Sequence, residues 1–266
     1  MKKRKKDVIS IKSPAEAAAM RAAGKATAEV LAVVCAAVRE GISTAELDRI
    51  AGEELARRGM RSACRGYPGH LCPFPANICV SINEEVVHGI PSPKRFLATG
   101  DLVSMDLVVV ESGGFMGDAT RTVVVGKAKD GSVEYLLHGT ECALAEGIAK
   151  ARAGNFVGDI SAAIEACANR FHLGIVRELT GHGIGQEMHE APTIPNHGKP
   201  ASGPLLQAGM TLAIEPMLLA TAGGERILLD ADGWTVRTAD GSWAAHCEHT
   251  VLVTDGAPEI LTEIKS

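Results

Sequence analysis

Aromatic residues are scarce in this 266-residue chain: five Phe, two Trp and two Tyr, or 3%. A core so poor in rings is built from Ala, Val, Ile and Leu, and the 46% apolar fraction supplies enough for one large domain or two small ones. Long hydrophobic runs are missing too. The longest, LAVVCAAV at 31–38, is far short of the roughly 20 residues a bilayer span needs. The seven cysteines are odd in number and none are spaced as CxxC, which speaks against a disulfide framework or a zinc knuckle and for a reducing cytoplasm. The glycine-rich GHGIG has no Walker spacing and no lysine, so phosphate cradling is disfavoured. Positive charge is also in deficit. The net charge is −5 although Lys2, Lys3, Arg4, Lys5 and Lys6 contribute five positives, so the body is more acidic still and unlike a nucleic-acid-binding surface. The basic start resembles a signal peptide, yet DVISIKSP follows where an apolar run is required. Residues 1–10 read as a flexible basic tail, either a solvated terminus or a weak attachment to an anionic surface such as ribosomal RNA.

What is present comes twice. SPAEAAAMRAAGKATAEVLAVVCAAV predicts a helix capped by Ser13, with Pro14 in its first turn and Glu16 three residues after the cap. Gly41 breaks it, and a second helix is expected from Ser43 to a stop at Gly59. A loop rich in Gly, Pro and Cys covers 64–77; ICVSIN, DLVSMDLVVV and TRTVVVG then have strand composition. The second half repeats the order, with GTECALAEGIAKA and GDISAAIEACANRF as helices and TLAIEPMLLA and CEHTVLVT as strands. Local echoes support a duplication: GISTAEL with GNFVGDI, HGIP with HGIG, and GDLVSMD with GMTLAIE. The last pair holds one offset of 109 from Gly100/Gly209 to Asp106/Glu215. A duplicated helix–helix–strand unit facing itself across a pseudo-twofold axis is expected, with a site at the interface.

Acids stand where the chain should be apolar. Asp106 interrupts LVSMDLVVV and Glu215 interrupts TLAIEPMLL, and an ionised carboxylate in a buried strand costs several kcal/mol unless paired or bound to a cation. A hairpin turning at Ser112, Gly113 and Gly114 brings Asp118 close to Asp106, to roughly 5 Å between Cβ atoms if the two are directly opposed. An ion pair with Arg121 would account for one of these acids but not for the second, nor for Glu215 and Glu248. GHGIGQEMHE adds His182 and His189, each open to reading as core, ligand or catalytic group. With one histidine, the set Asp106, Asp118, His182, Glu215 and Glu248 suits two adjacent divalent ions of the Mn, Fe or Co kind, which would activate a bridging water. That points to a hydrolase.

At these residues the sequence resembles the type I methionine aminopeptidases, a two-metal family. The motifs are NEEVVHGIP, DLVSMDLVVV with GDATRT, GHGIG, TLAIEPM, DGWTVRT and CEHTVLVT, in the family's order over nearly the whole chain. The resemblance implies an α+β pita-bread fold, a curved antiparallel sheet with helices on its outer face, as one catalytic domain over 11–266. It implies metal ligands at Asp106, Asp118, His182, Glu215 and Glu248, holding two ions (Co, Mn, Fe or Zn). It implies non-ligand histidines at His88 and His189 that position substrate and stabilise the transition state, and Glu215 as proton shuttle. The activity implied is removal of the initiator methionine from nascent chains with a small second residue, by a metal-bridging hydroxide, in a cytoplasmic monomer with no membrane association and transient ribosome contact.

The side-chain pocket implied by the family includes Cys79, Phe74 and Trp234, with His88 and His189 beside them. Leu71 and Pro73 replace common Tyr and Gly, and Met188 takes a usual aromatic position, so the strictness of methionine preference is in question. His182 and Glu215 are 33 apart, too close for the type II insertion, and no zinc-binding N-terminal extension is present, which implies a compact bacterial form. Relatives that cleave before proline usually carry an extra N-terminal domain, and a non-catalytic binding homologue would have broken ligands. Here all five are intact.

Overall fold

The first helix, α1 (Pro14–Ala37), begins on a complete capping box: the Ser13 backbone N–H donates to Glu16 Oε2 at 2.8 Å while Ser13 Oγ accepts from Glu16 N. Ser43 caps α2 (Thr44–Arg57), and Gly59 stops it at φ +65°, a left-handed conformation glycine adopts without strain. In the second half α3 spans Gly131–Ile148, starting at Gly131 rather than Gly139 because Asp130 accepts from Ser132 N and caps the extra turns. Helix α4 spans Val157–Arg170. The computed structural model describes residues 8–223 and 225–264, so the basic Lys2–Lys6 segment lies outside the described residues.

The duplication is visible in the backbone. Helices α2 and α4 both have 14 residues, and each is preceded by a positive-φ glycine, Gly41 at +78° and Gly154 at +90°. Gly100 and Gly209 take φ +90° and +92° at the entries to corresponding strands. Even the residues that precede α2 and α4 make matching isolated bridges, Ser43 to Phe96 and Phe156 to Leu205. Each helix pair packs against its own half: α1 and α2 over a core including Leu31, Leu47 and Met105, α3 and α4 over one including Ile160, Ile164 and Leu212.

All strand pairings between named strands are antiparallel. Leu102–Val110 is central in the first half, paired with Met116–Val124 on one side and with Cys79–Ile82 and Arg61–Ser62 on the other. In the second half Thr211–Ile214 lies between His249–Leu252 and Thr180–Gly183, and the latter pairs with Glu190–Pro195. TLAIEPMLLA is therefore two strands, not one. Pro216 has no N–H for a ladder, and beyond it Met217–Leu219 joins a different sheet with Ala244–His246 and Gly174–Ile175. Glu215 stands at that break.

Helix α1 lies directly on the Met116–Val124 strand because both surfaces are bare. A Cβ on Gly117 would lie 2.6 Å from Gly24 N, and Thr27 Oγ1 donates to Gly117 O at 2.9 Å. Gly117→Ala pushes the helix off the strand carrying Asp118. A loss of roughly 1–3 kcal/mol is expected, read as a lower urea midpoint at unchanged m-value. Among the described residues no helix is long and apolar enough to cross a membrane.

Candidate metal centre and adjoining pocket

The hairpin that carries both aspartates turns through Glu111–Phe115, closed by Glu111 N donating to Phe115 O and Gly114 N to Glu111 O, each 3.0 Å, with Gly114 at φ +87°. Its centre is therefore residue 113, and the register pairs Asp106 with Thr120 and Asp118 with Val108. Asp106 and Asp118 are diagonal on one face instead of directly opposed, which for such positions means roughly 7–8 Å between Cα atoms. The even spacing keeps both side chains on the same side of the sheet. Arg121 pairs in register with Met105, on the alternate face, and lines a separate cavity with Cys35 and His249. It is not the partner of either aspartate.

Glu248 comes from the other half and is tied into the same strand. Thr120 Oγ1 donates to Glu248 Oε2 at 2.9 Å, Glu248 N donates to Thr120 O at 3.1 Å, and Thr250 bridges the Asp118 backbone on both sides. His182 sits in Thr180–Gly183, where its Nδ1–H donates to Gly183 O at 2.9 Å and leaves the Nε2 lone pair for the centre. Nε2 is 3.4 Å from Glu215 Oε1 and 3.8 Å from Asp118 Oδ2. Ligand atoms of Asp118, His182 and Glu248 lie within 4.8 Å of one another.

Electrostatically the cluster is uncompensated. Burial pushes the Asp106, Asp118, Glu215 and Glu248 carboxyls up, the last three well above the usual range with neighbouring carboxylates adding repulsion. The same burial drives His182 down to about 3. Asp106 Oδ1, Asp118 Oδ1 and Glu248 Oε1 are buried with no hydrogen-bond donor. Orphaned oxygens converging with an imidazole lone pair are what hard or borderline cations require, and the donor set contains no thiolate.

A cavity of about 320 Å³ opens beside the cluster, and Phe74, Cys79, His88, Met188, His189 and Trp234 all line it. Phe74 meets Trp234 edge-on at 5.2 Å, and Trp234 Nε1 donates to Cys72 O at 2.9 Å. His88 takes φ +60°, a strained conformation for a residue with a Cβ, and the next residue, Gly89, approaches Val80 so closely that a Cβ there would sit 2.2 Å from Val80 O. Burial, then the charges of His246 and His189, depress the His88 pKa to about 4. His189 stands just before Glu190–Pro195, its ring 4.4 Å from that of His182. A register shift between His182 and Gly183 accompanies this juxtaposition of rings seven residues apart.

Of the replacements at 71, 73 and 188, one faces the cavity. Leu71 is 72% exposed and packs at Gly233 on the rim, and neither it nor Pro73 lines the cavity; Met188 does, at 9% exposure. Three residues escaped the sequence reading. His246 is buried with Nε2 3.4 Å from Glu215 Oε2, Thr120 supports Glu248, and Tyr67 bonds His189. The spacing of His246 two before Glu248 was a signal, since alternate extended residues share a face.

Residues 18–255 match metallopeptidase family M24. The methionine aminopeptidase of Clostridium acetobutylicum is 44% identical over 96% of this chain and 99% of its own length. Methionine aminopeptidase 1 of Mycobacterium tuberculosis is 46% identical, covering 96% and 95%. This chain belongs to the methionine aminopeptidases of family M24. Among solved structures of the family, that from Thermotoga maritima superposes with a TM-score of 0.92 at 38% identity, over 97% of this chain and all of that one. The prolidase of Pyrococcus horikoshii shares the pita-bread fold at a TM-score of 0.75 and 19% identity, over 98% of this chain but 65% of its own. Membership in a metallopeptidase family makes the orphaned carboxylate cluster a divalent-metal centre and the chain a metal-dependent aminopeptidase.

Proposed function

We propose that residues 11–266 form a single catalytic domain that removes N-terminal methionine from nascent chains with a small second residue, in the cytoplasm and as a monomer. The observation that carries this reading is the adjacency of an uncompensated carboxylate–histidine cluster and an apolar cavity with a sulfur-rich, aromatic wall. Asp106, Asp118, His182, Glu215 and Glu248 would hold two divalent ions of the Mn, Fe, Co or Zn kind. Such ions, when bound, supply Lewis acidity that lowers the pKa of a shared water and polarises a carbonyl. Glu215 takes the proton from the attacking water and returns it to the departing amine. His88, kept neutral by burial, and His189 donate to the scissile carbonyl as it gains charge. Phe74, Cys79, Met188 and Trp234 bind the methionine side chain, where thioether–aromatic contacts add to burial. The Lys2–Lys6 segment, outside the described residues, would supply transient contact with ribosomal RNA.

The test is release of the first residue from Met-Ala-Ser and Leu-Ala-Ser by metal-restored protein. Cleavage of the Met peptide with little of the Leu peptide is expected. Met188→Ala should cost about tenfold in kcat/KM for the Met peptide, whereas Leu71→Ala should change it less than about twofold, since only the first lines the cavity. Equal cleavage of both peptides would make the chain a broader two-metal aminopeptidase. Absence of cleavage by metal-bound, folded protein would overturn the reading.

A further inference from the structure

We propose that Tyr67 is a positioning residue that fixes His189 as its Nε2–H tautomer, so that the ring presents a donor to the substrate carbonyl. This deepens the aminopeptidase reading and rests on it for the carbonyl. The Tyr67 hydroxyl lies 2.7 Å from His189 Nδ1, and the two rings meet edge-on with centroids 5.4 Å apart. A phenol hydrogen seeks an acceptor, and Nδ1 is the one in contact with it among the described residues. Burial and the Glu187 carboxylate push the Tyr67 pKa up, so the phenol keeps a proton that it can donate. A ring nitrogen that accepts a hydrogen bond carries no proton, which leaves the imidazole hydrogen on Nε2, away from Tyr67.

Tyr67 is itself locked by the pocket wall. Tyr67 N donates to Cys64 O at 3.0 Å, Phe74 N donates to Tyr67 O at 2.9 Å, and Gly66 N donates to Phe74 O at 2.8 Å. These bonds close the 64–74 loop into a hairpin-like clasp. One end presents Phe74 to Trp234, and the other presents the phenol to His189. The wall that grips the side chain and the support that aims the histidine are thus a single element. Filling the pocket and orienting the donor are coupled through two backbone hydrogen bonds.

The experiment uses the full chain labelled with ¹⁵N in its histidine rings, read by long-range ¹H–¹⁵N correlation without metal, alongside kinetics of metal-restored protein on Met-Ala-Ser. In the wild type His189 should show an acceptor-type Nδ1 and a protonated Nε2. Tyr67→Phe should give tautomer-averaged shifts and a kcat about tenfold lower, as for loss of a partner that orients a functional imidazole, with KM and bound-metal content unchanged. Combined with His189→Ala, the two losses should not add, because one acts through the other. A protonated Nδ1 in the wild type, or an unaltered kcat in folded Tyr67→Phe, would overturn the proposal. The wild-type spectrum decides alone should the variant not fold. A correct tautomer in protein that cleaves no methionyl peptide would instead sink the aminopeptidase reading.

Discussion

Asp118→Asn is expected to raise the melting temperature of the metal-free chain by about 2–8 °C and to reduce aminopeptidase activity by at least about 10³-fold. The side chain keeps its shape, but a charge is removed from a buried group of four carboxylates in which Glu248, Asp106 and Glu215 all repel it. Relief of about 1–2 kcal/mol, at 2–4 °C per kcal/mol for a chain of this size, gives the temperature shift. Loss of a ligand forfeits several kcal/mol of transition-state stabilisation, and about 4 kcal/mol corresponds to a 10³-fold fall in rate.

The pH dependence has a definite sign. Each of these acids has a folded pKa above its unfolded one, so the folded metal-free chain binds more protons. Their penalty is absent well below the unfolded carboxyl pKa and grows as pH rises through the folded values. The depressed histidines act oppositely: with His182 at about 3 and His88 and His246 at about 4, against 6.5 unfolded, stability is lost as pH falls from roughly 6.5 toward 4. The gain from Asp118→Asn should therefore be larger at pH 6 than at pH 4, measured calorimetrically after chelation. A variant that melts at or below the wild type at pH 6 would show that the native carboxylate is compensated.

His189→Ala should lower kcat by roughly 10²–10³ with KM within a few fold, the cost of removing one donor to a developing oxyanion. Metal content should be that of the wild type if His189, whose ring lies 4.4 Å from that of His182, acts on substrate and not on metal as proposed. His182→Ala should instead lose metal and activity together, since its Nε2 is the imidazole nitrogen facing Glu215 and Asp118. Metal analysis beside steady-state kinetics separates the two. If His189→Ala emptied the centre, the roles of the pair would be exchanged.

Much of the architecture was legible before any coordinates. Capping residues Ser13 and Ser43, stop signals such as Gly59, and the alternation of β-branched residues act within a few positions, so they can be read locally. The duplication was readable because two halves that fold alike keep the same special glycines, Gly100 with Gly209 and Gly41 with Gly154. The acids were conspicuous because a carboxylate in an apolar strand violates the hydrophobic pattern and demands a partner. Helix α3 was cut short because its first turns depend on an Asp130 cap that the apolar pattern does not mark.

Sequence by itself marked the residues proposed to carry the chemistry: four acids that no apolar core would tolerate uncompensated, with His182 and His189 as candidate partners. Only the tertiary structure decided how they meet. It set the hairpin register two residues from direct opposition, because a five-residue loop and not the sequence midpoint closes the turn. It broke the strand at Pro216 so that Glu215 stands at the junction of two sheets, and it brought His246 and Tyr67 to the site. It turned Leu71 out to the rim and left Met188 in the wall. The contacts of Tyr67 with His189 and of Leu71 with Gly233 join segments more than a hundred residues apart, where position along the chain no longer specifies distance in space.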